Sequence, residues 1–123
     1  KVARLLQVLH QSRAANSFDR ELRSWVGPDV LLADDFGLRQ LTAQQSSDFY
    51  DVLVERHTRT STLLTSNRAV DEWVALFDDP ILANSALDRF AHRAHQIILE
   101  GPSLRAAKAP GNAKGVANPT RPR

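Results

Sequence analysis

Two short apolar segments, separated by a helical segment, constrain the fold of this 123-residue chain more than any other feature. Residues 30–33 are apolar and run directly into Asp34 and Asp35. Residues 62–65 are apolar and β-branched, and Asn67 follows them. Such short runs are typical of buried strands. A strand, a helix and a strand within about 35 residues indicate a βαβ unit, so the sequence predicts parallel strands and an α/β fold.

The helix between the two strands is indicated by its starting signal and its periodicity. Thr42 and Gln45 have the spacing of a capping box, in which the two side chains satisfy backbone amides at a helix start. Phe49, Val52 and Leu53 follow at helical spacing, so the helix is expected to run to about Thr58. The same kind of reading predicts helices at 2–13, 18–25 and 70–77, one from Asp79-Pro80 to about 93, a loop at 34–41 and a third strand at 96–99.

The end of the chain differs in composition from the rest. After Glu100 it carries five basic residues and no acidic one, with four prolines and three glycines. A segment of this kind cannot bury enough apolar surface to order itself. We therefore predict one domain at residues 1–104 and a flexible basic tail at 105–123. A solvated tail is favoured over an arm that contacts DNA phosphates.

Several classes of protein are excluded or disfavoured by what the sequence lacks. It has no cysteine, so disulfides and thiolate metal sites are excluded. No apolar run approaches the ~20 residues of a membrane span, and the first residues do not form a signal peptide. The chain contains no methionine, which fits a fragment of a longer protein as well as a processed one.

The polar residues at the two strand ends suggest phosphate chemistry. Ligands bind at the carboxyl edge of α/β sheets, where Asp34, Asp35 and Asn67 are expected to lie. Carboxylates there suit a hydrated Mg²⁺ beside a phosphate, and the amide could bind the phosphate or an attacking water. The alternatives are a pair of loop acids at a strand end and an Asx-turn. The phosphate-cradling motif G-x-x-x-x-G-K-[ST] does not occur in the 123 residues.

Arg89 is a further candidate because it lies between apolar residues of a predicted helix. The residues one turn away are Ser85 and Arg93, so neither can serve as the acid that usually pairs with a structural arginine. Arg89 could act as an arginine finger on a phosphate bound to a neighbouring subunit. The alternative is an ordinary solvated arginine on a helix surface.

Six segments taken in order carry a resemblance to a known family: residues 30–37, 64–68, 72–73, 77–83, 87–90 and 92–95. They closely resemble the IstB-type transposition helper ATPases of the AAA+ superfamily, which are close to the helicase loader DnaC and the initiator DnaA. The resemblance extends over about residues 1–105. It implies a parallel-sheet P-loop NTPase core of strand order 5-1-4-3-2, with helices on both faces. This chain would lack the amino-terminal part of that core.

The resemblance also implies roles for the candidate residues. Asp34 would coordinate Mg²⁺, Asp35 would orient the attacking water, and Asn67 would sense the γ-phosphate of ATP. Arg89 would act in trans, which implies a homo-oligomer. The implied function is an ATP-binding helper that assists a transposase on DNA in the bacterial cytoplasm, away from membranes.

The missing phosphate loop limits what this chain is expected to do by itself. We expect an incomplete fragment that does not hydrolyse ATP alone and is poorly stable, because the first strand of the family sheet would lie between the strands at 62–65 and 96–99. Two alternatives stay open. One is a non-catalytic DNA-binding or interaction remnant, and the other is a DnaC-like helicase loader.

Overall fold

The computed structural model describes residues 1–108, which form an α/β structure of five α-helices, one 3₁₀ helix and two strands within that range. The elements, in chain order, are α1 (Val2–Ala14), α2 (Phe18–Val26), β1 (Val30–Phe36), α3 (Ala43–Arg56), β2 (Ser61–Ser66), the 3₁₀ helix (Val70–Leu76), α4 (Pro80–Phe90) and α5 (Leu104–Ala107). No helix in this part of the chain is both long and apolar enough to cross a membrane.

The two strands are parallel neighbours, so the predicted βαβ unit is confirmed. Leu31 of β1 lies opposite Thr62, and Ala33 lies opposite Leu64. Helix α3 connects the strands and begins where the sequence predicts. The Thr42 hydroxyl accepts the Gln45 amide at 3.2 Å, and the Gln45 side chain accepts the Thr42 amide at 3.0 Å.

The core lies on one face of the sheet. Leu31, Ala33 and Phe36 point into it, and the Phe36 ring stacks on Phe49 of α3 at 4.9 Å between ring centroids. Trp73 of the 3₁₀ helix meets the Phe36 ring edge-on at the same distance. These aromatic contacts fix the end of β1, which carries the acidic pair, against two helices.

The opposite face of the sheet is open, so the expectation of helices on both faces is wrong for the described residues. Leu32 of β1 keeps 59% of its surface exposed, and Leu63 of β2 keeps 57%. Successive strand residues point to opposite faces, and no described element packs over these two side chains.

The predicted third strand at 96–99 is also wrong. Residues 95–100 adopt no regular secondary structure, and Ile97, Ile98 and Leu99 are all at least four-fifths exposed. A strand needs a neighbour to receive its hydrogen bonds, and within residues 1–108 no strand is hydrogen-bonded to this segment. The segment instead forms one wall of a groove of about 710 Å³ whose other wall is the free edge of β2.

A partly buried ion pair and a buried hydrogen-bond network hold the helices in place. Arg13 of α1 makes a two-point contact with Asp48 of α3, with nitrogen–oxygen distances of 2.8 and 2.5 Å, and the pKa of Arg13 is raised mainly by that hydrogen bond. Asp48 is 1% exposed. A buried ion pair of this kind holds two elements together strongly, because removing either partner leaves the other charge buried and unpaired.

Arg56, at the end of α3, forms the second network. It is 1% exposed, and its guanidinium donates to the carbonyl oxygens of Trp25, Val26 and Pro28 at 2.8–3.1 Å. It also donates to the Ser61 carbonyl at 2.5 Å and to the Thr62 hydroxyl at 2.9 Å. Arg56 therefore joins the end of α2 to the beginning of β2.

The tail predicted at 105–123 falls mostly outside the described residues. Its first three residues belong to α5, which Ser103 caps through a bond from the Ala106 amide at 3.3 Å.

Candidate functional site

The two adjacent acids lie within β1, not in the loop predicted at 34–41. Ala33 pairs with Leu64 and Phe36 pairs with Ser66, so Asp34 and Asp35 together oppose the single residue Thr65. This is a β-bulge, and Asp35 takes the left-handed backbone conformation with φ of 61°. The sequence prediction ended the strand early because a bulge depends on the partner strand, which the local sequence does not show.

The Thr65 hydroxyl organises the bulge. It accepts a hydrogen bond from the Asp35 backbone amide at 3.0 Å and donates one to the Asp34 carboxylate at 2.5 Å. A hydroxyl has a single proton to donate. Because the Thr65 hydroxyl accepts from the Asp35 amide through its oxygen, its proton is available for the bond to Asp34. One carboxylate oxygen of Asp34 is thereby fixed in place, and the other has no hydrogen-bond donor among the described residues.

The Asp35 carboxylate is held by a different group. The Lys1 ammonium lies 2.6 Å from it, and this hydrogen bond and the accompanying charge lower the pKa of Asp35 and raise that of Lys1. The Asp35 side chain is 37% exposed and that of Lys1 is 67% exposed. Asp35 is therefore ionised at neutral pH, and the ion pair is accessible to water and to ligands.

These side chains fit a hydrated Mg²⁺ ion that also contacts phosphate. The described residues contain no group of three or more His, Cys, Asp or Glu side chains that could enclose a metal ion by themselves. Mg²⁺ keeps several waters and is commonly bound by one or two carboxylates together with phosphate oxygens. Asp34, with one oxygen fixed and one available, is the better of the two acids for direct contact.

Asn67 lies at the same edge of the sheet, as the sequence predicts. It comes one residue after the end of β2, its side chain is exposed, and the carboxamide has no hydrogen-bond partner within residues 1–108. Two side-chain hydrogen bonds hold the turn that carries it. The Ser66 hydroxyl donates to the Phe36 carbonyl at 2.7 Å, and the Arg68 guanidinium donates to the Gly37 carbonyl at 2.5 Å.

Arg89 is held on α4 by acceptors on Ser85, one helical turn away. Its guanidinium donates to the Ser85 hydroxyl at 2.5 Å and to the Ser85 carbonyl at 3.2 Å. It also lies 5.9 Å from the centroid of the Tyr50 ring. No acid lies one turn away in the sequence, and a serine hydroxyl and a backbone carbonyl serve as acceptors instead. Its other terminal nitrogen has no partner in the described part of the chain.

Arg89 and the acidic pair lie at opposite ends of β2. Arg89 lines a cleft together with Thr60 and Thr62, at the beginning of the strand, whereas the acids contact Thr65 near its end. A strand rises about 3.3 Å per residue, so three residues along β2 already separate these positions by roughly 10 Å. The structure therefore brings Asp34, Asp35 and Asn67 to one edge and places Arg89 away from them.

Sequence reasoning missed Lys1, Thr65 and Arg68 as members of the site. Thr65 and Arg68 lie within two residues of Asn67 in the sequence, so their position near the strand end could have identified them as members of the site. Lys1 carried no such signal, because its contact with Asp35 spans 34 positions and depends on how α1 packs on β1.

Comparison with known proteins gives a consistent result. Residues 1–110 match the model of a family described as IstB-like ATP binding protein. The chain is 40% identical over 112 residues to a Mycobacterium tuberculosis protein described as an ATP-binding protein in an insertion sequence, covering 90% of this chain and 45% of that protein.

Two further relatives have descriptions of the same kind. An insertion-sequence ATP-binding protein of Sinorhizobium fredii is 35% identical over 106 residues, which are 86% of this chain and 43% of that protein. The ATP-binding protein of insertion sequence IS21 from Pseudomonas aeruginosa is 30% identical over 102 residues, 83% of this chain and 38% of that protein. The chain thus spans less than half the length of these relatives.

Proposed function

The chain belongs to the IstB-like ATP-binding protein family, and on that premise we propose that it is part of an ATP-binding helper of DNA transposition. The family match and the insertion-sequence relatives support a role connected with transposition. The observation that carries the proposal is the β1 bulge, because it presents two carboxylates at the carboxyl edge of a parallel sheet, the place where such sheets bind ligands.

Asp34 would hold the metal in this proposal. Its carboxylate is oriented by the Thr65 hydroxyl and keeps one oxygen for a metal ion or a metal-bound water. Bound Mg²⁺ would neutralise charge on the β- and γ-phosphates of ATP. Thr65 is accordingly a positioning residue, because it acts on the ligand only through Asp34.

Asp35 would orient the attacking water. It is ionised and accepts a hydrogen bond from Lys1, and its remaining lone pairs can accept a proton from water. Asn67, exposed at the neighbouring strand end, would donate its amide protons to the γ-phosphate. Both assignments rest on position at the same edge as Asp34.

Arg89 would act on a nucleotide bound by another copy of the protein. Its separation from the acids along β2 supports action in trans and makes action on the same subunit's acids difficult. An arginine finger stabilises charge that develops on the transferred phosphoryl group. The proposed protein is therefore a homo-oligomeric AAA+ ATPase, with DNA and a transposase as its partners.

The chain as it stands is expected to bind nucleotide weakly and not to turn it over. Its 123 residues contain no G-x-x-x-x-G-K-[ST] segment, whose backbone amides and lysine cradle the phosphates in this class of protein. Magnesium-dependent ATP hydrolysis by this polypeptide that is lost in an Asp34→Asn control would contradict this expectation.

The metal assignment can be tested on the chain directly. Mn²⁺ replaces Mg²⁺ at oxygen sites and broadens the NMR signals of nearby nuclei. With Mn²⁺ and ATP present, we expect the strongest broadening of amide signals at residues 34–37 and 65–67, and weaker broadening at Arg89. Asp34→Asn should abolish the broadening.

A matched control lies just before the same strand. Asp29 is an exposed aspartate just before β1, at the opposite edge of the sheet. Asp29→Asn removes the same charge and should leave the broadening pattern unchanged. Broadening that persists in Asp34→Asn, or that appears first at Asp29, would refute the assignment of the metal to Asp34.

A further inference from the structure

A second polar site lies at the amino edge of the sheet, away from the acids. It is a cleft of about 290 Å³ between the end of α3, the beginning of β2 and the end of α4. Its charged and titratable lining residues are Arg56, His57, Arg89 and Arg93. No Asp or Glu among the described residues lines it, so the potential inside the cleft is positive.

The acidic residues nearest in sequence do not neutralise this cleft. Glu55 pairs with Arg59 at 3.5 Å, and both lie on the exposed surface of the chain. Asp88 pairs with His92 at 2.8 Å on the outer side of α4. These two carboxylates therefore face other partners, and Asp29, at the same edge of the sheet, does not line the cleft.

The positive charge of Arg56 is itself uncompensated. Within residues 1–108, all of its hydrogen bonds go to carbonyl or hydroxyl oxygens, and none goes to a carboxylate. Burial lowers the pKa of Arg56, which is the response of a cation that has lost water without gaining an anion. An anion in the cleft would supply the missing countercharge at short range.

One buried donor in the lining has no acceptor. The Thr60 hydroxyl is buried and makes no hydrogen bond within the described residues. Buried polar groups are nearly always paired, so a lone hydroxyl beside a cavity calls for an acceptor that the protein does not provide. Arg89 likewise has an unused terminal nitrogen, and Arg93 is exposed.

We propose that this cleft binds a phosphate oxyanion, with the guanidinium groups of Arg89 and Arg93 and the Thr60 hydroxyl as donors. Guanidinium groups match phosphate oxygens in geometry, and the three donors surround one acid-free volume. The phosphate can come from a nucleic-acid backbone or from a nucleotide held by a neighbouring copy. The inference goes beyond the proposed function because it assigns Arg93 and Thr60, and it does not depend on the acids at the other edge.

Tripolyphosphate is a suitable first probe, titrated calorimetrically into the 123-residue chain at low salt. Arg93→Gln should lower the affinity about tenfold, since a charge-assisted hydrogen bond is lost. Arg4→Gln is the matched control, because Arg4 is an exposed arginine on α1 whose guanidinium donates to Gln7 at 3.3 Å and, within the described residues, to no other side chain. It should bind within about twofold of the wild type, as expected for a distant surface charge.

Thr60→Val separates binding from stability. Valine keeps the shape of threonine and removes the unpaired hydroxyl, so the melting temperature of the free chain should stay the same or rise. The affinity for tripolyphosphate should nevertheless fall about threefold, because one neutral donor is lost. A purely structural threonine would not give this combination.

Two further probes identify the source of the phosphate. If a short single-stranded oligodeoxynucleotide also loses affinity in Arg93→Gln and Thr60→Val, the cleft takes a nucleic-acid phosphate. If only tripolyphosphate and ATP respond, it takes a nucleotide phosphate. Either result supports the proposal.

Two outcomes would overturn it. One is that Arg93→Gln and Arg4→Gln weaken every probe by the same factor. The other is that Thr60→Val binds every probe like the wild type. Asp34→Asn should leave tripolyphosphate binding in the cleft unchanged, so failure here is distinguishable from failure of the metal assignment.

Discussion

Replacing Arg56 by methionine should be among the most destabilising single changes in this chain. Methionine is long, unbranched and apolar, so it fills much of the same space while removing every donor. Four backbone carbonyl oxygens at the junction of α2 and β2 then lose their hydrogen bonds. The Thr62 hydroxyl loses a fifth.

The size of the effect follows from these contacts. Each lost hydrogen bond to a carbonyl costs roughly 1 kcal/mol, so the four carbonyls amount to about 4 kcal/mol. Removing a buried cation recovers part of this, because its desolvation no longer opposes folding. We therefore expect the free energy of unfolding to fall by about 3 kcal/mol, a large share of the 5–15 kcal/mol typical of a domain.

Urea unfolding followed by tryptophan fluorescence measures this change. Trp25 reports on the junction itself, since its carbonyl accepts from Arg56, and Trp73 reports on the core. Arg59→Met is the matched control three residues further on. The Arg59 side chain is 71% exposed, and its ion pair with Glu55 should contribute at most about 1 kcal/mol.

The difference in unfolding free energy between Arg56→Met and Arg59→Met tests whether Arg56 holds the junction. If Arg56→Met loses no more stability than Arg59→Met, water replaces the guanidinium at no cost and the junction is not held as described. Arg56→Lys gives an internal check. It keeps the charge but offers its donors from a single nitrogen, so it should fall between methionine and the wild type.

Three further outcomes are expected. Burial, and then the nearby Asp48 charge, raise the pKa of Asp51, so the stability this carboxyl contributes is present at low pH and is lost as the pH rises through its folded-state pKa. Asp51→Asn should therefore melt higher than the wild type at pH 7, and the difference should vanish near pH 3; a lower melting temperature at pH 7 would be inconsistent with this. Leu63→Lys should reduce self-association in sedimentation velocity runs with little loss of stability, because this leucine is exposed on the open face; unchanged association would exclude that face as the contact. Gly37→Ala should destabilise by about 1–2 kcal/mol in urea, because Gly37 has φ of 85° and a Cβ would lie 2.9 Å from Leu76; a neutral result would show that the turn rearranges freely.

Locally encoded features were predictable from the sequence, and features that depend on distant partners were not. The start of α3 is an example of the first kind, because Thr42 and Gln45 bond each other across three positions. The start of α4 is another, since the Asp79 side chain accepts the Ile81 amide at 2.8 Å and Pro80 occupies the first turn. Such signals lie within one helical turn.

The features that the sequence did not predict depend on residues far away in the sequence. Residues 96–99 have a strand-like composition, but a strand forms only beside another, and the described chain offers none there. The bulge at Asp35 depends on Thr65, a residue 30 positions away. The placement of Asp34, Asp35 and Asn67 at one edge was predictable because parallel strands end together. Their chemical roles, and that of Arg89, stay predictions.

The opposed positions of Arg89 and the acidic pair along β2 restrict how copies of this protein can assemble. If Arg89 of one copy acts at the acids of the next, each copy presents two different surfaces, one at each edge of its sheet. A two-fold symmetric dimer joins identical surfaces and would bury one Arg89 against another. Head-to-tail contact instead repeats from copy to copy, so the assembly either closes as a ring or continues as a helical filament. At the end of an open filament, one subunit would always have acids without an arginine partner.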